Sequence, residues 1–182
     1  TKLKVRNQVK DIAIDLLKLY AERESAIGFP YKKDDDLQLE FEKEFLFTET
    51  VDQLKVIEEI KKDMESKYPM DRLLCGDVGY GKTEVAFRAI FKAILSNKQV
   101  ALLCPTTILS LQHYNSALER FKNFPVRIEL LNRFVPLKKQ KQIIEDLKNK
   151  KIDLIIGTHR ILSEDIIFKD LVKQKDFFWG GY

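Results

Sequence analysis

Apolar positions along the chain change their spacing near Pro69. From Val5 to Ala21 they recur every three or four residues, with charged side chains between them, which predicts a long amphipathic helix. The same spacing predicts a second helix from Val51 to Ser66, with Thr50 as its N-cap and Pro69 closing it. Between these helices, the charged run at 32–36 is typical of a solvated connector.

After Pro69 the pattern changes to short apolar runs that alternate with helical periodicity. Runs of this length without a helical period are typical of buried strands. Strand and helix in strict alternation predict an α/β fold, with a mostly parallel sheet and helices on both faces. The predicted strands are 72–75, 100–104, 126–131 and 152–156, and the predicted helices are 82–95, 108–121 and 137–149.

Composition narrows the class of protein only modestly. The 182 residues suffice for one domain with a helical lead-in, and 45% hydrophobic with 33% charged residues is typical of a globular chain. No apolar run approaches the roughly 20 residues of a membrane helix, and the first residues do not resemble a secretory signal, so we expect no membrane contact and a cytoplasmic location. Cys75 and Cys104 lie in apolar runs and are predicted to be reduced core residues.

A net charge of +4 is compatible with a polyanionic partner. Acidic and basic residues are interspersed along the chain, however, so charge by itself is weak evidence for nucleic-acid binding.

The strongest local signal is the segment GDVGYGKT at 76–83. It matches the phosphate-loop pattern GxxxxGK[ST], with an apolar run before it and a predicted amphipathic helix after it. Glycines let backbone N–H groups approach a triphosphate, Lys82 is expected to reach its β and γ oxygens, and Thr83 is expected to ligate Mg²⁺. The alternative is a glycine-rich turn that only permits tight packing. The predicted nucleotide contacts are Gly76, Asp77, Val78, Gly79, Tyr80, Gly81, Lys82, Thr83 and Glu84.

Several segments together resemble a known motor family. LLCGDVGYGKTEVA and VALLCPTTILSLQHY resemble motifs I and Ia of superfamily 2 helicases. With FPVRIELLNRF and KIDLIIGTHRIL in the same order, they resemble the first motor domain of the bacterial transcription-repair coupling factors, and RecG-type helicases are the nearest alternative. The resemblance covers residues 2–171. It implies a RecA-like P-loop domain at 37–171, preceded by a relay-type helix and connector at 1–36 and followed by an atypical tail at 172–182.

The resemblance also implies an adenine site upstream of the phosphate loop. FLFTETVDQ at 45–53 is similar to the adenine-recognition segment of that family, which assigns Phe47 to stacking on adenine and Gln53 to the N6 and N7 edge of the base. The alternatives are a hydrophobic staple for Phe47 and a solvated first-turn position for Gln53.

The tripeptides at 105–107 and 157–159 each end a predicted strand. Ligands of doubly wound sheets bind beyond the carboxyl ends of the strands, so both tripeptides are expected on the functional edge. Hydroxyl, amide and basic groups there are suited to the phosphates of one DNA strand, without base readout. The simpler interpretations are an N-cap for Thr106, a solvated charge for Arg133 and a packing residue for His159. The DNA-binding candidates are Thr106, Thr107, Gln112, Arg133, Thr158, His159 and Arg160.

One family motif is missing. The strand after Asp170-Leu171 should carry an Asp-Glu-x-His box, but the sequence reads VKQKDFFWGGY. We therefore expect a C-terminally truncated domain with an unpaired strand edge, which binds ATP or ADP with Mg²⁺ and hydrolyses ATP negligibly.

For the parent protein, the resemblance implies a double-stranded DNA translocase that displaces stalled RNA polymerase and recruits excision-repair proteins through regions outside this chain. Two alternatives stay open. One is a RecG-type helicase that remodels replication forks, and the other is a non-catalytic nucleotide-sensing module.

Overall fold

The computed structural model describes residues 27–76, 79 and 81–171, together with positions 10, 12–14, 17, 18 and 21. All of these last positions are helical, as predicted, and Ile12 and Leu17 are 61% and 69% exposed. The rest of the predicted first helix and the tail at 172–182 lie outside the described residues. None of the helices in the described part is long and apolar enough to cross a membrane.

The helices and strands follow the predicted alternation to within about two residues at most ends. Helix α2 begins with the predicted cap, because the Thr50 hydroxyl accepts a hydrogen bond from the Gln53 N–H and the Gln53 side chain accepts one from the Thr50 N–H. The elements are α1 (Asp36–Lys43), α2 (Val51–Glu65), α3 (Lys82–Leu95), β1 (Val100–Leu103), α4 (Thr107–Arg120), β2 (Ile128–Leu131), α5 (Leu137–Lys148), β3 (Leu154–Gly157) and a 3-10 helix (His159–Leu162).

The sheet is parallel, with β3 between β1 and β2. Leu154 and Ile156 of β3 belong to the core under α2, α3 and α4, whereas Ile155 packs with α5 on the opposite face. This alternation explains why β3 is apolar at successive positions and fully buried. The predicted α/β class with helices on both faces is confirmed, and the carboxyl ends of all three strands share one edge.

The predicted strand at 72–75 is wrong, because residues 71–76 form neither helix nor strand. A strand requires a partner for its backbone groups. In the described part of the chain, the free edge of β1 is met only by a parallel bridge between Gln99 and Leu171. Leu73 is consequently 85% exposed. The interpretation of Cys75 as a core residue is also wrong, since it is exposed, whereas Cys104 is buried as predicted.

The solvated connector predicted at 32–36 is corrected at Asp34, which packs on the protein body, whereas residues 32, 33, 35 and 36 are exposed as predicted. The carboxylate of Asp34 lies 2.6 Å from the ammonium groups of both Lys61 and Lys92, and Lys92 is only 2% exposed. Asp35 caps α1, a helix that was not predicted from the sequence, by accepting a hydrogen bond from the Gln38 N–H. The Asp34 charge therefore satisfies a buried partner rather than water.

Candidate functional site: a phosphate loop beside an open cavity

Two glycines of the loop before α3 have backbone conformations that other residues rarely adopt. Gly79 and Gly81 have φ angles of 80° and 69°, in the left-handed region that favours glycine. Gly81 is the N-cap of α3, so the N–H groups at the start of the helix point toward the loop. Asp77, Val78 and Tyr80, which were predicted to contact nucleotide, lie outside the described residues.

Gly81 also brings the loop against α2. A Cβ atom at this position would lie 2.6 Å from Nε2 of Gln53, closer than real side chains approach one another. The Oε1 of Gln53 accepts the capping hydrogen bond from the Thr50 N–H at 2.8 Å, while its amide nitrogen lies toward the phosphate loop.

The two residues predicted to act on the phosphates lie at the start of α3. Lys82 folds back across the loop, and its ammonium donates a hydrogen bond of 2.6 Å to the carbonyl of Gly76. Thr83 lines the adjoining cavity. Within the described residues no group of three or more His, Cys, Asp or Glu side chains is suited to a metal ion. Thr83 would hold a magnesium ion through its hydroxyl, and the ion would supply positive charge beside a bound triphosphate.

A cavity of about 1200 Å³ extends from this loop to the predicted adenine segment. Phe47 lies on its wall, and the ring is 73% exposed, so it does not serve as a buried staple on α2. The Phe45 ring packs edge-on against Phe47 at 5.6 Å. An exposed aromatic face at the mouth of a cavity is suited to stacking on a planar base. The helix α4 supplies a polar wall through Asn115 and Ser116.

Glu84, predicted as a nucleotide contact, makes interactions that the sequence did not lead us to expect. It is 8% exposed, and its carboxylate accepts hydrogen bonds from Arg88 at 2.9 Å and from Arg120 at 2.8 and 2.9 Å. Arg88 also binds Glu49, and its hydrogen bond holds the pKa of that carboxyl below its usual range. A Glu-Arg pair four residues apart is common on exposed helices, so spacing alone did not mark these arginines as part of a site.

The predicted DNA-binding candidates gather at the carboxyl edge of the sheet. Thr106 is the N-cap of α4, because its hydroxyl accepts a hydrogen bond of 3.2 Å from the Leu109 N–H. Asn132 is buried and joins two parts of this edge. Its amide donates to the Ser110 hydroxyl at 3.1 Å and its oxygen accepts from the Phe134 N–H at 3.0 Å. This arrangement ties the loop that carries Arg133 to the helix that begins at Thr107.

These candidates differ in what they offer to a ligand. Gln112, Arg133 and His159 are exposed. Arg160 is engaged, since its guanidinium makes two hydrogen bonds of 2.7 Å to Asp165. Thr158 follows the central strand and is 4% exposed, with its N–H directed to the Leu131 carbonyl, and its assignment to a DNA contact stays a prediction.

Known proteins share both the sequence and the fold. Residues 50–178 match the family model described as "DEAD/DEAH box helicase". The chain is 59% identical over 170 residues to a transcription-repair-coupling factor of Bacillus subtilis and 54% identical over 170 residues to that of Borreliella burgdorferi. Each alignment covers 93% of this chain, which spans only 14% and 15% of those relatives.

A solved structure, that of RecG bound to a three-way DNA junction, superposes with a TM-score of 0.79 at 41% identity. The superposition covers 85% of this chain and 21% of the RecG chain. It confirms the predicted RecA-like arrangement of the sheet and its helices. Because the matching family model spans well over half of the 182 residues, the chain belongs to the DEAD/DEAH box helicases, a family of ATP-dependent helicase-like enzymes.

Proposed function

We propose that this chain is the ATP-binding half of a DNA-translocating motor. The observation that carries the proposal is the position of the phosphate loop, which opens onto a cavity of about 1200 Å³ with Phe47 and Gln53 on its wall. In this proposal the Phe47 ring stacks on adenine and the Gln53 amide binds the edge of the base. The triphosphate lies along the loop toward the first turn of α3.

Lys82 and Thr83 have different roles at the bound triphosphate. Lys82 exchanges the Gly76 carbonyl for the β and γ oxygens, which carry more negative charge and therefore attract the ammonium more strongly. Thr83 would hold a magnesium ion, which would supply positive charge to the phosphate oxygens. The sequence contains no Asp-Glu-x-His box to orient the attacking water, so we propose that this chain binds ATP but turns it over negligibly.

Duplex DNA is the proposed track, held at the carboxyl edge of the sheet by exposed groups of the loops that follow the strands. Arg133 and His159 are exposed there, and backbone N–H groups at the start of α4 add further donors. Binding through phosphates is independent of base sequence and weakens as the salt concentration rises, because less free energy is then gained from counterion release. The RecG comparison supports this role, since that protein was solved on a DNA junction.

The role of the complete protein is proposed from its relatives. Identities of 54% to 59% with transcription-repair-coupling factors favour coupling of transcription to excision repair, with displacement of stalled RNA polymerase, over a RecG-type role at 41% identity. The chain spans only 14% to 15% of those relatives, so polymerase and repair partners would bind elsewhere.

Calorimetric titration of Mg-ATP and Mg-ADP tests the nucleotide site. The wild-type chain is expected to bind both, Lys82→Ala to lose most affinity, and Phe47→Ala to lose affinity for nucleotides but not for tripolyphosphate. Folded wild-type chain that binds neither nucleotide would refute the proposal, and ATP turnover well above that of Lys82→Ala would refute negligible hydrolysis.

A fluorescence titration with a duplex of random sequence tests the track. Arg133→Ala is expected to weaken binding and to reduce the slope of log K against log salt by about 1. Lys62→Ala, which removes an exposed charge on α2, is the matched control. Equal effects of the two substitutions would remove Arg133 from the interface.

A further inference from the structure

Glu84 connects the phosphate-loop helix to two distant parts of the chain. It follows Thr83 directly and is buried, and both of its carboxylate oxygens are occupied by guanidinium groups. Arg88, which binds Glu84, also donates a hydrogen bond to the carboxylate of Glu49. Arg120, which also binds Glu84, donates a hydrogen bond of 2.7 Å to the carbonyl of Phe41.

These two series of hydrogen bonds from Glu84, one through Arg88 and one through Arg120, form two arms that end on either side of the adenine segment. Phe41 lies in the last turns of α1 and Glu49 lies just before α2, so the residues between them include Phe45 and Phe47. The Arg88 guanidinium also lies 5.4 Å from the centre of the Phe45 ring, which contacts Phe47. The segment is therefore attached at both ends, and at its middle ring, to charges that originate next to the phosphate loop.

The burial of the two cations makes this attachment stiff. Arg88 is 3% exposed and the Arg120 side chain is 12% exposed, and a buried guanidinium requires its hydrogen-bond acceptors because an unpaired charge in the interior is costly. Bidentate pairing, as between Arg120 and Glu84, restricts direction as well as distance. If either arm lengthened, a buried guanidinium would lose one of its hydrogen-bond acceptors.

We propose that Glu84 is a positioning residue, which acts through Arg88 and Arg120 to hold the segment bearing Phe47 at a fixed distance from the phosphate loop. The inference rests on the proposed nucleotide site. Phe47 is mostly exposed, so few packing contacts fix its ring, and its position depends on how the segment is anchored. The two arms thereby set the spacing between the base and phosphate subsites, which favours binding of a nucleotide over binding of a free phosphate chain.

Glu49→Ala is the sharpest test, because it releases one arm at its more exposed end, where the Glu49 side chain is 23% exposed. Glu58→Ala on α2 removes the same charge at a position that is 64% exposed and serves as the matched control. Arg88→Lys is a second variant, which keeps the cation but cannot span Glu84 and Glu49 together. Each variant is titrated calorimetrically with Mg-ATP, Mg-GTP and tripolyphosphate, and its folding is checked by circular dichroism.

The expected result is an ATP affinity about tenfold weaker for Glu49→Ala and Arg88→Lys, with reduced preference for ATP over GTP. Tripolyphosphate affinity is expected to stay within about twofold, since the phosphate loop is unchanged, and Glu49→Gln, which keeps an acceptor for Arg88, should recover part of the ATP affinity. If the pair only stabilised the fold, the substitutions would lower the unfolding temperature without weakening ATP binding more than tripolyphosphate binding.

Glu49→Ala with the ATP affinity of Glu58→Ala would overturn the inference if Phe47→Ala still weakened binding. If Phe47→Ala leaves ATP affinity unchanged, or if the wild-type chain binds no nucleotide, the proposed adenine site fails and the inference fails with it. Loss of ATP and tripolyphosphate affinity to the same extent in folded Glu49→Ala would also overturn it, because the effect would then not be specific to the base.

Discussion

Gly81→Ala tests the contact between the phosphate loop and α2. Two costs combine at this position. Alanine in the left-handed region, where Gly81 has φ of 69°, costs about 1–2 kcal/mol. The new Cβ would lie 2.6 Å from Nε2 of Gln53, so the end of that side chain must move, and we expect it to give up the hydrogen bond from the Thr50 N–H. Loss of half a capping box adds about 1 kcal/mol, so we expect a destabilisation of about 2–3 kcal/mol.

Gly79→Ala is the control for backbone strain alone. Gly79 has φ of 80°, but no atom of the described residues lies within 4 Å of the position that its Cβ would occupy, so only the cost of about 1–2 kcal/mol is expected. Urea unfolding of both variants measures the difference. In a Gln53→Ala background the extra cost of Gly81→Ala should disappear. Equal costs for the two glycine variants, or an extra cost that persists without the Gln53 side chain, would refute the reasoning.

Three further predictions concern buried charges and helix ends. Lys92→Met should destabilise the fold by about 3–5 kcal/mol in urea unfolding, because Asp34 and Glu65 lose their shared cation, whereas Lys55→Met at an exposed position should cost little. Burial raises the pKa of Asp34, but hydrogen bonds from Lys61 and Lys92 outweigh it and hold the pKa below its usual range. This carboxylate therefore stabilises the fold above about pH 4 and loses its contribution as pH falls through the folded pKa, so Asp34→Asn should flatten that part of the curve of stability against pH. Thr106→Ala should cost about 1 kcal/mol through the lost cap of α4, and Thr106→Ser should restore it.

Each of these predictions has a contrary outcome. A Lys92→Met variant as stable as Lys55→Met would show that the buried ammonium contributes no net stability. An acid limb unchanged in Asp34→Asn would place the titrating groups elsewhere. If Thr106→Ala lowered DNA affinity without changing stability, the hydroxyl would act on DNA rather than on the helix.

Local signals in the sequence determined the elements near the phosphate loop. The repeat of three and four residues placed α3 at its observed bounds, and Thr50 marked the start of α2, because helix periodicity and capping depend on neighbours within one turn. The loop itself was recognisable for the same reason, since glycine spacing and the adjacent Lys82 lie within eight residues.

Only the tertiary structure decided the environment of that loop. The segment at 72–75 has the composition of a strand, yet a strand also requires a neighbouring strand to pair with, which its own amino-acid composition does not specify. Thr158 has a suitable hydroxyl but is buried at the end of the central strand. Glu84 reaches Arg120, and Arg88 reaches Glu49, across separations of 36 and 39 residues. Such pairings follow from the packing of whole elements, which brings distant charges together without leaving a periodic trace in the sequence.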